Sequence, residues 1–84
     1  MLDKFEAAAL EAIEKAAQEI TGNGRLETRI LNAEYYMGKF HAFMEIIEGM
    51  NTDRLATIVD RTREDISNVM IFIDQIYSIR VNGR

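Results

Sequence analysis

The sequence predicts an all-α fold: a short Ala-rich N-terminal helix followed by a long antiparallel helical hairpin, assembled as a homo-oligomer. Three observations predict it. The 84 residues contain no Pro, so no ring forces a break in a long helix. Four of the five Gly (Gly22, Gly24, Gly49, Gly83) stand where the apolar rhythm stops, the place where a helix end takes up a left-handed turn. Between those stops, apolar residues recur at spacings of three and four, the period of a helix face. The length allows one domain, residues 1–84.

The first segment covers about 3–20. Ala, Glu, Lys and Leu dominate it, and all are strong helix formers. Phe5, Ala9, Ala12, Ile13, Ala16 and Ile20 form one stripe. Because Ala supplies much of that stripe, a neighbour can approach closely while little area is buried. Glu11 and Lys15 make a favourable i,i+4 pair on the wet side. The stretch Thr21-Gly22-Asn23-Gly24 ends the segment.

The second segment covers about 25–48. Leu26, Ile30, Ala33, Met37, Phe40, Met44 and Ile47 follow alternating steps of four and three, a heptad seam. A second apolar line runs through Leu31, Tyr35, Gly38, Ala42 and Ile46. One buried face satisfies a hairpin; two call for two neighbours. Gly38 costs roughly 1 kcal/mol within a helix relative to Ala, and with Ala42 four residues later it admits another helix at short range.

The third segment covers about 52–80, with Asn51 or Thr52 as its cap. Leu55, Val59, Thr62, Ile66, Val69, Ile73 and Ile76 again step by four and three. The run Val69-Met70-Ile71-Phe72-Ile73 is apolar on every side, as expected of a helix enclosed by its own chain and by a second copy. The short Gly49-Met50-Asn51 connection makes segments two and three antiparallel neighbours. A chain this small hides only about 60–65% of its unfolded surface. The surplus apolar faces therefore predict a homodimer or a larger oligomer.

Composition excludes several kinds of chemistry. Zero Cys removes disulfides and thiolate metal sites. There is one His, His41, and neither a nucleophile elbow, a phosphate loop nor a dinucleotide fingerprint. No enzyme activity, cofactor or metal is expected. His41 shares a stripe with Glu27, Glu34 and Glu48, with Glu45 one turn away. The helix-bundle metal motif Glu-x-x-His does not occur, so this stripe reads as a charged edge beside the seam. No apolar run approaches the ~18 residues of a membrane span, and the start lacks the apolar core of a signal peptide. A cytoplasmic protein without membrane contact is expected.

Three surfaces are candidates for function. Phe40, Phe43, Met44, Met50, Met70, Phe72 and Tyr77 supply Met and aromatic groups, which serve cores and adaptable binding surfaces alike. They are the candidate oligomer or partner surface. Antiparallel pairing gathers Arg25, Arg29, Arg80 and Arg84 at one hairpin end, with Tyr77 nearby; such a cluster can hold a phosphate or nucleotide. Residues 54–69, Arg54-Leu55-Ala56 through Asn68-Val69, resemble the helix-turn-helix of DNA-binding regulators. That resemblance implies a turn at Asp60, a cap at Thr62, and Arg63, Glu64, Ser67 and Asn68 facing bases. The same residues also read as one unbroken helix with Thr62 in its core.

The stretch Asn32-Ala33-Glu34-Tyr35-Tyr36-Met37-Gly38-Lys39-Phe40-His41-Ala42-Phe43, onward to Gly49, is similar to small helical hairpin accessory proteins of tailed phages. That likeness implies a phage-encoded protein working in the host cytoplasm. The leading expectation is a non-enzymatic interaction protein that oligomerises and binds another macromolecule as inhibitor, adaptor or structural part. Its partners are a second copy and another protein. A DNA-binding regulator and a nucleotide-binding protein are the alternatives.

Overall fold

The computed structural model of the chain describes residues 1–82. They form a three-helix bundle: α1 (Leu2–Gln18), a 3-10 turn (Glu19–Thr21), α2 (Leu26–Met50) and α3 (Thr52–Asn82). Among the described residues there is no strand. At 1.5 Å per residue α3 is about 46 Å long, and this one helix sets the longest dimension of the molecule, 46 Å.

Segments two and three make the expected hairpin, with a tighter turn than the sequence implied. Gly49 and Met50 continue α2, leaving Asn51 as the single residue between the helices. Asn51 is extended (φ −163°, ψ 103°), and its Oδ1 accepts the Arg54 N–H at 3.0 Å. This is N-cap chemistry: a side-chain oxygen satisfies a first-turn donor while the backbone turns outside the helix. The expected left-handed glycines do not occur, since no described residue has a positive φ. Gly22 is extended (φ −70°, ψ 170°) and follows the 3-10 turn. The chain leaves α1 by tightening and then straightening, so no left-handed residue is required. Gly83 lies outside the described residues.

The helix α1 packs as a third member of the bundle, antiparallel to α2. Ala9 and Ala16 are fully buried and Ala12 is nearly so, which lets α1 approach closely as its small stripe predicted. The Phe5 and Phe43 rings lie 6.3 Å apart. Arg54, in the first turn of α3, ties the start of α1 down: its Nη1 meets Glu6 at 2.6 Å and Asp3 at 3.0 Å. These two carboxylates raise the Arg54 pKa above its ordinary value, Glu6 contributing first.

The α2 seam is buried at Ile30, Ala33, Met37, Phe40, Met44 and Ile47. In α3 the buried line shifts to Ile58, Thr62, Val69, Phe72 and Ile76. Leu55, Val59, Ile66 and Ile73 are only partly covered. The seam turns by about one residue because α3 must face both α1 and α2.

Candidate functional site

Two apolar features of the hairpin stand out, an exposed line on α2 and a half-buried groove between α2 and α3. The first runs along the back of α2. Leu31 (44% exposed), Tyr35 (61%) and Ile46 (42%) lie there, with Gly38 and Ala42 exposed between them. Their spacing places them on one face, opposite the buried seam. A Cβ added at Gly38 would meet nothing within 4 Å. The close neighbour that Gly38 was expected to admit is not supplied by this chain.

The second surface is a groove of about 330 Å³ between α2 and α3. Phe40 and Met44 from α2 and Leu55, Val59 and Ile66 from α3 make its apolar lining, and His41, Glu45 and Glu48 stand along its α2 edge. It forms because α1 takes the other side of the helix pair, where it meets Phe43 and Arg54. The acidic stripe read from the sequence thus borders an apolar slot. Among the described residues, no three His, Asp or Glu side chains come together as a metal site.

Of the residues expected on the oligomer or partner surface, Phe40, Met44 and Phe72 are buried. They sit on the seam side of their helices, and the hairpin and α1 cover them, although Phe40 and Met44 reach the groove edge. Phe43 is half-buried, against Phe5. Met50, Met70 and Tyr77 are exposed. The all-apolar run at 69–73 is enclosed on one side only: Val69 and Phe72 point inward, while Met70 and Ile71 face outward.

At the arginine end, Arg29 is engaged with the chain's own backbone. Arg29 Nε–H donates to the Glu19 carbonyl at 2.8 Å, and its Nη2 donates to the Ile20 carbonyl at 2.6 Å. Its guanidinium carbon lies 5.6 Å from the centre of the Phe72 ring. The side chain therefore closes the exposed carbonyls at the end of the first helical segment and clamps that end to α2 and α3. With Nε and Nη2 engaged in this way, Arg29 is a structural clamp. Arg25 and Arg80 are exposed; Arg84 lies outside the described residues.

Residues 54–69 contain no turn. They are part of α3 throughout, and Asp60 has helical backbone without a positive φ. Thr62 is 3% exposed, and its hydroxyl donates to the Ile58 carbonyl at 2.7 Å, the back-bond of a Thr inside a helix. Of the two readings of this stretch, the structure takes the unbroken helix, because Thr62 has a satisfied core position and no free helix N-terminus to cap. Arg63 is held to Asp60 at 2.7 Å on the solvent face. Glu64, Ser67 and Asn68 are exposed on the same unbroken helix.

A smaller cavity of about 220 Å³ lies between α1 and α2, beside Lys15, Tyr36 and Lys39. Lys15 is paired with Glu11 at 3.1 Å and lies 5.8 Å from the Tyr36 ring centre. That pairing, with the Glu11 hydrogen bond as the largest cause, raises the Lys15 pKa above 10.5.

Comparison with protein-family models, curated proteins and solved structures finds no match for this chain. What the geometry defines is a class: a helical bundle whose long hairpin carries an exposed apolar line on α2, exposed Met70, Ile71 and Tyr77 on α3, and a half-buried apolar groove between the two helices. Sequence reasoning saw the first face as the second apolar line of segment two. It missed the groove as a unit and the Arg29 clamp.

Proposed function

We propose that the chain is a non-enzymatic interaction protein that self-associates and binds another macromolecule through its hairpin. One observation carries this: the chain leaves Leu31, Tyr35 and Ile46 exposed on one face of α2, with only the small Gly38 and Ala42 between them on that face. Scattered apolar residues on a surface are ordinary, whereas apolar residues repeated at helix spacing on one exposed face suit a contact with another helix. The open Cβ position at Gly38, with Ala42 one turn on, suits the close approach of a second helix. A second copy of α2 brings a matching face, as a two-fold contact requires.

Sedimentation equilibrium over a wide concentration range tests the reading. The wild-type chain is expected to show a dimer or larger species whose share rises with concentration. The double substitution Tyr35→Glu with Ile46→Glu places charge on two exposed positions and is expected to return the chain to monomer with its helix content intact. A wild-type monomer mass at every concentration would overturn the reading.

A further inference from the structure

We propose that the groove between α2 and α3 is a docking site for a basic amphipathic helix of another protein. The inference rests on the reading of the chain as an interaction protein and adds to it the chemistry of the partner. The groove has an apolar lining, with Met44, Leu55, Val59 and Ile66 facing one slot between two antiparallel helices. A slot of this shape accepts a third rod, as the opposite side of the same helix pair accepts α1. A helix laid along it would present apolar side chains at i, i+3, i+4 and i+7.

Charge selects the occupant. The residues lining the groove include two carboxylates, Glu45 and Glu48, and no Lys or Arg. Glu34 and Glu27 continue the acidic edge along α2 at seven-residue steps. Carboxylates beside an apolar slot favour Lys or Arg on the flanks of the incoming helix and disfavour acids. A second copy of this chain is the poorer fit: the exposed apolar line it could offer, on α2, has Glu34 and Glu45 beside Tyr35 and Ile46, and these carboxylates would meet an acidic edge. Self-association is assigned to the back of α2, leaving the groove for a partner of opposite sign.

The test uses the full chain and two synthetic helical peptides with identical Leu positions, one flanked by Lys and the other by Glu. Calorimetry at low salt measures affinity, and amide chemical shifts locate binding. The Lys peptide is expected to bind saturably and to move resonances of His41, Glu45, Leu55, Val59 and Ile66. The Glu peptide is expected to bind at least about tenfold more weakly. Glu45→Lys with Glu48→Lys, both at exposed positions, should weaken the Lys peptide by about tenfold, the size expected for two rim charges reversed in sign.

Equal affinity for the two peptides would overturn the proposal. So would the absence of binding, shifts confined to Leu31, Tyr35 and Ile46, or an unchanged affinity in the Glu45→Lys, Glu48→Lys variant. Groove resonances that move with protein concentration alone would show a second copy there and would also overturn it. Sedimentation of the same samples separates the two readings. Self-association without Lys-peptide binding removes only the docking site, and a strict monomer that binds the Lys peptide removes only the self-association.

Discussion

Replacing Arg29 by Ala tests how the N-terminal helix is fastened. The substitution removes two charge-assisted hydrogen bonds, to the Glu19 and Ile20 carbonyls, and a contact with the Phe72 ring. Hydrogen bonds to charged groups contribute about 1.5–3 kcal/mol each when buried. Both carbonyls belong to half-buried residues, so water recovers part of that and about 1 kcal/mol each remains. The cation–ring contact adds about 0.5–1 kcal/mol. The sum is about 2–3 kcal/mol, against a total of about 4–13 kcal/mol for a chain of this size. In a domain this small that loss lowers the thermal midpoint by about 10–20 °C. Arg29→Lys should recover less than half, because one ammonium cannot span both carbonyls and lie on the ring as a planar fork does. Arg80→Ala, at an exposed position, should stay within about 0.5 kcal/mol. Thermal melts by circular dichroism give all three values. Equal, small losses for Arg29→Ala and Arg80→Ala would refute the clamp.

Three further outcomes follow from the packing. Thr62→Val should be neutral or stabilising by up to about 1 kcal/mol, since the Ile58 carbonyl keeps its backbone partner; a helix cap at Thr62 would instead cost about 1 kcal/mol on this change, so the sign of a urea-midpoint shift decides. Phe40→Ala, at 1% exposure, should cost about 3–5 kcal/mol, enough to leave much of the chain unfolded near body temperature by circular dichroism. Lys15 has a folded-state pKa raised above its ordinary value of 10.5, so its contribution is complete below that pH and fades as pH rises through the folded value. Urea midpoints through this alkaline window should fall, and Glu11→Gln should remove that part of the fall.

The fold was legible because helix faces repeat. The steps through Leu26, Ile30 and Ala33, and on to Ile47, name the buried seam of α2 almost without error. The second line through Leu31, Tyr35 and Ile46 is likewise periodic, and it is the surface left uncovered. What lacked a period was harder to read. Arg29 reaches carbonyls nine and ten residues back, and only the path of the chain through Gly22 and Gly24 brings them together. Gly49 looked like a helix end, yet Asn51 caps α3 so directly that α2 runs on to Met50. The groove depends on which side of the hairpin α1 takes. The pairing of Arg54 with Glu6 and Asp3 helps set that side, across a span that no local pattern reports. The helix-turn-helix likeness at 54–69 shares its apolar spacing with a plain helix, and the buried hydroxyl of Thr62 separates the two.

The proposed contact between copies along the back of α2 is directly testable by cross-linking, because the chain has no Cys. Single Cys are introduced at Tyr35, Gly38 and Ala42, with Ser67→Cys on the solvent face of α3 as control. A disulfide requires Cα atoms within about 7 Å, which only a closely packed helix pair provides. Under mild oxidation at least one of the three α2 variants is expected to form covalent dimer much faster than Ser67→Cys. Rates no higher than the control at all three positions would contradict a contact between copies on this face.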